Sequence, residues 1–267
     1  MTEQKESKPT VAVKASLTLS QLVHSEKYMN RMRDLLGNRA QQFVTSILSL
    51  ANSYTDLQQC DPNKVITECL KAAALDLPVD PNLGFAYVLP YRNWKNNVVI
   101  PQFQMGYKGF IQLAMRSGEY ETIGVKEVHD NELSGVDEYT GEEIIKFLPE
   151  SERSEKIIGY AAYFITLKGF RKRLYMSNKD LDKHGAKYSK SYNSKNGIWK
   201  TEPDAMKKKT VLKLLLSRWG ILSTQLAKAI EIDQTSEEQY VDRKPVIDIE
   251  NAEMGQSEED RNLIVNN

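Results

Sequence analysis

The sequence predicts an α+β fold, a small antiparallel β-sheet with a β-hairpin, flanked by helices. Three observations carry the prediction. Apolar residues recur at helical spacing up to about residue 76, aromatic and β-branched runs replace them over 83–103, and helices are then interspersed among short strands.

Residues 1–16 are polar and unpatterned and read as a disordered arm. Leu17–Leu36 reads as a helix with Gly37 as its stop, and Arg39–Gln59 as a second. Asp61-Pro62 is an N-cap followed by a first-turn proline, opening a third helix that runs to about Asp76 before Pro78 and Pro81. LGFAYVLPYR (83–92) and NVVIPQF (97–103) read as a hairpin joined by a longer loop. Gln104–Ser117 is a helix closed by Gly118. Strands follow at Thr122–Val128, Ile144–Leu148, Ile157–Lys168 and Arg171–Ser177, the last two joined by a turn at Gly169-Phe170. Asn178–Lys187 is a short helix and Ser189–Ile198 a loop. A long helix opens at Thr201 and ends before Gly220, and a last short helix covers Leu222–Ile232. No internal repeat is visible. The organisation expected is one domain over 17–232 with an acidic, disordered tail over 233–267.

The chain of 267 residues is large enough for a substantial core, and its net charge of zero conceals an asymmetry. Residues 231–267 hold eleven acidic and three basic side chains, so this stretch is −8 and the remainder +8. A basic body suits a polyanion, with the tail as competitor or docking segment, or simply as a solvated extension. MTEQKESKPT has no apolar core of a signal peptide, and no apolar run approaches a membrane span. Cys60 and Cys69 fit reduced thiols, and with His24, His129 and His184 they make a poor zinc set. These features point to the cytoplasm.

GxxxxGK[ST], HExxH and GxSxG are missing, and Glu-x-Lys occurs only at 3–5 and 6–8. No catalytic centre is visible, although carboxylates can still meet in space. The basic elements say more. Lys108, Gln112 and Arg116 recur at i, i+4, i+8 over roughly 12 Å of helix. Two cations with an amide between them suit a phosphate backbone, as they also suit an ordinary solvated face. In WKTEPDAMKKKTVLKLLLSRWG (199–220), Ala205, Val211, Leu212, Leu215, Leu216 and Trp219 form the buried arc. Lys208 projects from within that arc, flanked by Lys207 and Lys209. Such a lysine either snorkels or looks into a groove beside the helix N-terminus, where N–H groups favour phosphate. RNWKN (92–96) sets Trp94 among Arg92, Asn93 and Lys95. KYSKSYNSKNGIWK (187–200) interleaves Lys190, Lys195 and Lys200 with Tyr188, Tyr192 and Trp199. Flat side chains among cations suit single strands, whose bases stack; packing at loop bases is the plainer alternative. Arg171 and Arg173, with Lys172 between them, add a further patch.

AALDLPVDPNLGFAYVLPY (73–91), QMGYKGFIQLAMRSG (104–118) and the 199–220 stretch with EPDAMKKKTVLK resemble the RecT family of phage single-strand annealing proteins, in order and spacing, over about residues 30–225. The closeness suggests a prophage of a Gram-positive host. The resemblance implies a core like that of the Red beta and Rad52 annealing proteins, with helices forming a basic DNA-binding groove. It implies annealing of complementary single strands without ATP in phage recombination. No cofactor is then expected, and an effect of Mg²⁺ on DNA binding stays open. The implied partners are single-stranded DNA, the annealed duplex, further copies of the chain in a ring or helical filament, a phage 5′→3′ exonuclease and a host single-strand binding protein. Carried over by motif, the groove would include Lys108, Arg116, Lys200, Lys207, Lys208 and Lys209. Arg92, Asn93, Trp94 and Lys95 transfer more weakly. A passive coat protein for single-stranded DNA or RNA and a nuclease are the competing readings.

Overall fold

The computed structural model describes residues 17–93, 98–194 and 197–238, apart from the side chains of 93, 190, 191 and 235–238. Trp94, Lys95, Lys195 and the side chains of Asn93 and Lys190 therefore lie outside the described residues, as do the arm over 1–16 and residues 239–267. The expected helix over 17–36 is two helices, α1 (Leu19–Val23) and α2 (Glu26–Leu36). The break falls at Ser25, which is extended (φ −64°, ψ 147°) and donates its hydroxyl to the Leu22 carbonyl. The second helix stops at Ser53 (α3, Ala40–Ser53), and a 3₁₀ turn follows over Thr55–Gln59. Helix α4 (Pro62–Ala74) has the expected cap, with Asp61 accepting the Asn63 N–H at 2.9 Å. Asp76 then turns the chain with a left-handed φ of 54°.

The hairpin is β1 (Ala86–Asn93) and β2 (Val98–Met105), paired so that Val88 faces Phe103 and Tyr87 faces Gln104. Pairing continues through Met105, so α5 (Tyr107–Arg116) starts later than its periodicity suggested. Strand β3 (Tyr120–His129) pairs with β6 (Ile157–Thr166), which pairs with β7 (Arg171–Ser177), all antiparallel. A separate ribbon interrupts them, β4 (Leu133–Val136) against β5 (Glu143–Ile145). Its first strand is short and Gly-broken and carried no readable alternation. Helices α6 (Asn178–Tyr188), α7 (Ile198–Thr201), α8 (Pro203–Trp219) and α9 (Thr224–Glu238) complete the chain. The long helix expected from Thr201 starts at Pro203, and Ile198–Thr201 form a separate turn of helix ahead of Glu202. The last helix runs past 232, the boundary expected for the tail.

These elements enclose one continuous core that includes Met32, Ile47, Leu50, Phe103, Phe110, Phe164, Leu212 and Leu215. Helix α8 packs on the β3–β6–β7 sheet, α5 lies against α8 and α9, and α4 packs on β2. The outward amides of β2 meet carboxylates: Phe103 donates to Glu68 at 2.8 Å and Met105 to Asp233 at 3.1 Å. An exposed strand edge is thereby capped rather than left for another strand. Cys60 and Cys69 are buried free thiols, both pushed up by burial, Cys60 to about 11.

Candidate nucleic-acid interface

Three glycines explain two of the blocks quoted above. A Cβ on Gly106 would lie 2.1 Å from the Gly84 carbonyl oxygen, and one on Gly109 2.2 Å from that of Phe85. Gly84 itself has φ +70°. Only glycine lets the α5 N-terminus press so closely on the 84–86 backbone. The contact sets Lys108 beside Tyr87, since a Cβ on Gly84 would touch the Lys108 side chain at 3.3 Å and the Tyr87 hydroxyl at 3.1 Å. Burial raises the Tyr87 hydroxyl, and its neighbours Tyr54, Tyr107 and Glu202 add to the rise. Tyr54 is raised by burial and then by Glu202. The 3₁₀ turn, β1, the α5 N-terminus and the α7–α8 junction thus converge. Tyr54, Tyr87 and Tyr107 are half-buried there, with Lys108 exposed on α5, and Lys200 is exposed at the end of α7 before that junction. Lys200 stacks 5.2 Å over the Tyr192 ring. Sequence reasoning did not single out Tyr54 or Tyr87 and placed Tyr107 only on a buried arc. The signal was the tyrosine beside each glycine, in GFAY and MGYKG.

The rest of the expected α5 row divides. Gln112 is half-buried. Arg116 turns away to donate to the Leu75 and Asp76 carbonyls at 3.4 and 3.0 Å, and it faces the Asp76 carboxylate at 3.6 Å. It closes the C-terminal end of α4, where carbonyls lack helical partners.

The lysine run departs furthest from expectation. Lys209 is 4% exposed and donates to Asp233 at 2.7 Å, as does Lys213. Burial alone would raise the Asp233 carboxyl, but the two ammonium groups outweigh it and hold its pKa at about 2. Lys208 binds Glu127 at 2.8 Å and Asp204 at 2.7 Å. Its burial lowers its pKa and the two carboxylates more than reverse that. Lys207 donates to Asn178 at 3.0 Å and sits 3.6 Å from Asp182. Lys207 and Lys209 are held inward by these partners, while Lys208, bound to its two carboxylates, lines a cavity with Lys126, Glu127, Phe147 and Arg153. Burial and Asp204 together push the adjacent Tyr160 hydroxyl up.

Trp199 is buried rather than a stacking platform, edge-on to Tyr192 at 5.4 Å and over Gly185, where a Cβ would lie 3.1 Å from its ring. Arg173 donates to the Glu143 carbonyl, and Lys172 pairs with Glu142 while lying 5.0 Å over the Trp219 ring. Trp219, expected in the buried arc, is at the surface between Lys172 and Arg218. Arg171 and Arg92 are exposed, on β7 and at the hairpin end. Among the described residues no cluster of three or more His, Cys, Asp or Glu is arranged to hold a metal ion. Among them, too, no helix is long and apolar enough to cross a membrane.

The elements define an α+β protein with small antiparallel sheets and flanking helices. The sequence model of the RecT family matches residues 41–248, and the chain belongs to that family. It is 45% identical over 235 residues, 88% of this chain and 78% of the relative, to the uncharacterized protein YqaK of Bacillus subtilis strain 168. It is 26% identical over 180 residues, 67% of this chain and 65% of the relative, to Protein RecT of Escherichia coli K12. Membership makes it a DNA-recombination protein of the single-strand annealing class.

Proposed function

We propose that the chain anneals complementary DNA strands without ATP, in phage homologous recombination. The observation that carries this reading is the family match over residues 41–248. The tyrosine face with Lys108 and Lys200 supports it as the strand-holding surface, extended by Arg171 and Arg92. Exposed cations take the phosphates of a few nucleotides, and tyrosines supply flat apolar surface. Lys207, Lys208 and Lys209 stay with Asp182, with Glu127 and Asp204, and with Asp233, and on this reading take no phosphate.

A strand held extended lets a second strand test pairing without first melting its own hairpins. Pairing and stacking contribute about 1.4 kcal/mol per step, so correct pairing drives the reaction without hydrolysis. The protein supplies preorganisation and relieves phosphate repulsion, then holds the annealed duplex. Copies along the strand turn weak contacts into tight binding. The chain acts in the host cytoplasm as an annealing protein and not an enzyme, alongside a 5′→3′ exonuclease and the host single-strand binding protein. The arm over 1–16 lies before the family match, which runs on to residue 248, into the acidic stretch.

Mixing dye-labelled complementary oligonucleotides with the protein, without ATP, tests the reading. Energy transfer that is fast, complementarity-dependent and weakened by salt is expected. Binding without faster pairing would reduce the protein to a strand coat. Metal-dependent loss of the strands would make it a nuclease.

A further inference from the structure

Among the described residues the β4–β5 ribbon pairs with no other strand. Residues 130–145 hold six carboxylates and neither Lys nor Arg. The turn is shaped by Asp137, which accepts the Tyr139 and Thr140 amides at 3.1 and 2.7 Å and the Thr140 hydroxyl at 2.9 Å. Tyr139 at the tip is 98% exposed, Val136 57% and Ile144 48%. The base is fixed: buried Glu132 accepts the His129 and Leu148 amides, each at 2.9 Å, while Lys172 and Arg173 hold Glu142 and Glu143. A negatively charged tip repels a phosphate backbone, yet it carries more apolar surface than a solvated turn requires.

A surface complementary to it lies on α2. Lys27, Arg31 and Leu35 fall at i, i+4, i+8, all exposed, with Leu35 at 43%. Lys27, Arg31 and Arg33 outnumber Glu26 and Asp34, and Arg31 has no ion pair among the described residues. Packing runs from α2 through α4 to β2, then through α9, α5 and α8 to the sheet that bears the ribbon. The two surfaces sit on elements several packing steps apart and answer each other in charge and in apolar character.

We propose that the ribbon of one copy seats on α2 of the next, Tyr139 against Leu35 and the acidic turn against Lys27, Arg31 and Arg33. This rests on the self-association in the function proposed above and names its contact. Two different surfaces make a heterologous joint, which repeats head to tail into a ring or a filament. Neither surface includes Lys108 or Lys200, so the strand-holding face stays open along the assembly.

The full chain with p-benzoylphenylalanine replacing Tyr139, mixed with isotope-labelled chain and a long single strand, tests the contact. Photocrosslinks from 139 to residues 27–36 of another copy are expected. Glu138→Arg and Arg31→Glu should each raise the protein concentration needed for assembly about tenfold, and the two together should restore it, since like charges meet in the single variants only. Crosslinks elsewhere, or single variants that assemble as the unmodified chain does, would overturn the proposal. Annealing measured on the same preparations separates the failures. An unmodified chain that assembles and anneals with indifferent variants rejects the contact alone, and one that does neither rejects the annealing reading as well.

Discussion

Helix α8 and the α5–α7 face carry the same side chain to opposite ends. On α8 the lysines point inward, where Asp182, Glu127, Asp204 and Asp233 neutralise them. On the face, Lys108 and Lys200 remain exposed among tyrosines. A lysine beside the core must bring its counter-charge with it, because an unpaired ammonium there is costly. A lysine held over glycine and tyrosine keeps its charge for a ligand. On the proposed reading, the surroundings of each cation, more than the density of cations in the sequence, decide where phosphate binds.

Asp233→Ala breaks the comparison most severely. It leaves Lys209 and Lys213 without their carboxylate and strips the Met105 amide of its acceptor, at a cost of roughly 3–5 kcal/mol in urea unfolding. Truncation after residue 232 should lose a similar amount, whereas truncation after 238 should leave the midpoint near that of the full chain. Removing the acidic stretch from 233 would thus damage the fold before it reported on the tail. Gly106→Ala acts on the other side of the comparison. Its Cβ would sit 2.1 Å from a backbone oxygen, so α5 must shift, and a loss of about 1–3 kcal/mol with slower annealing is expected. Lys208→Met sharpens the contrast. Glu127 and Asp204 would share a site with no cation, which should cost about 1–3 kcal/mol in stability while leaving the salt dependence of DNA binding unchanged. The smallest effect is in acid. The Asp233 pKa is depressed on folding, so its contribution is complete above the ordinary carboxylate value of 3.8 and is lost as pH falls towards 2. Asp233→Asn should flatten that part of a stability profile against pH.

Much of the architecture was legible. The α4 cap, the hairpin, the β6–β7 pair and Ser177 at the start of α6 follow from local chemistry, namely turn residues, caps and β-branched runs. The interruptions were harder, because Ser25 and Glu202 fall where apolar periodicity continues on both sides. The site was legible in outline only. The blocks of the family resemblance contain Lys108, Lys200 and the glycines that seat α5. The acids that claim α8 lie far along the chain, Glu127 being 81 positions from Lys208 and Asp233 24 from Lys209, and no local pattern links them. Arg116 was likewise claimed by carbonyls some 40 positions away. Side-chain spacing on one helix says which residues share a face; it does not say what that face meets.

The central claim is that strand binding belongs to the tyrosine face and not to the lysine run. The most direct test is the slope of log affinity for single-stranded DNA against log salt, in the unmodified chain, in Lys108→Ala/Lys200→Ala and in Lys208→Met, each with its fold checked by circular dichroism. Two lost phosphate contacts should reduce the slope of the double variant by about 1.4 and leave that of Lys208→Met unchanged. A slope lowered in Lys208→Met and unaltered in the double variant would contradict the account and return the lysine run to the DNA.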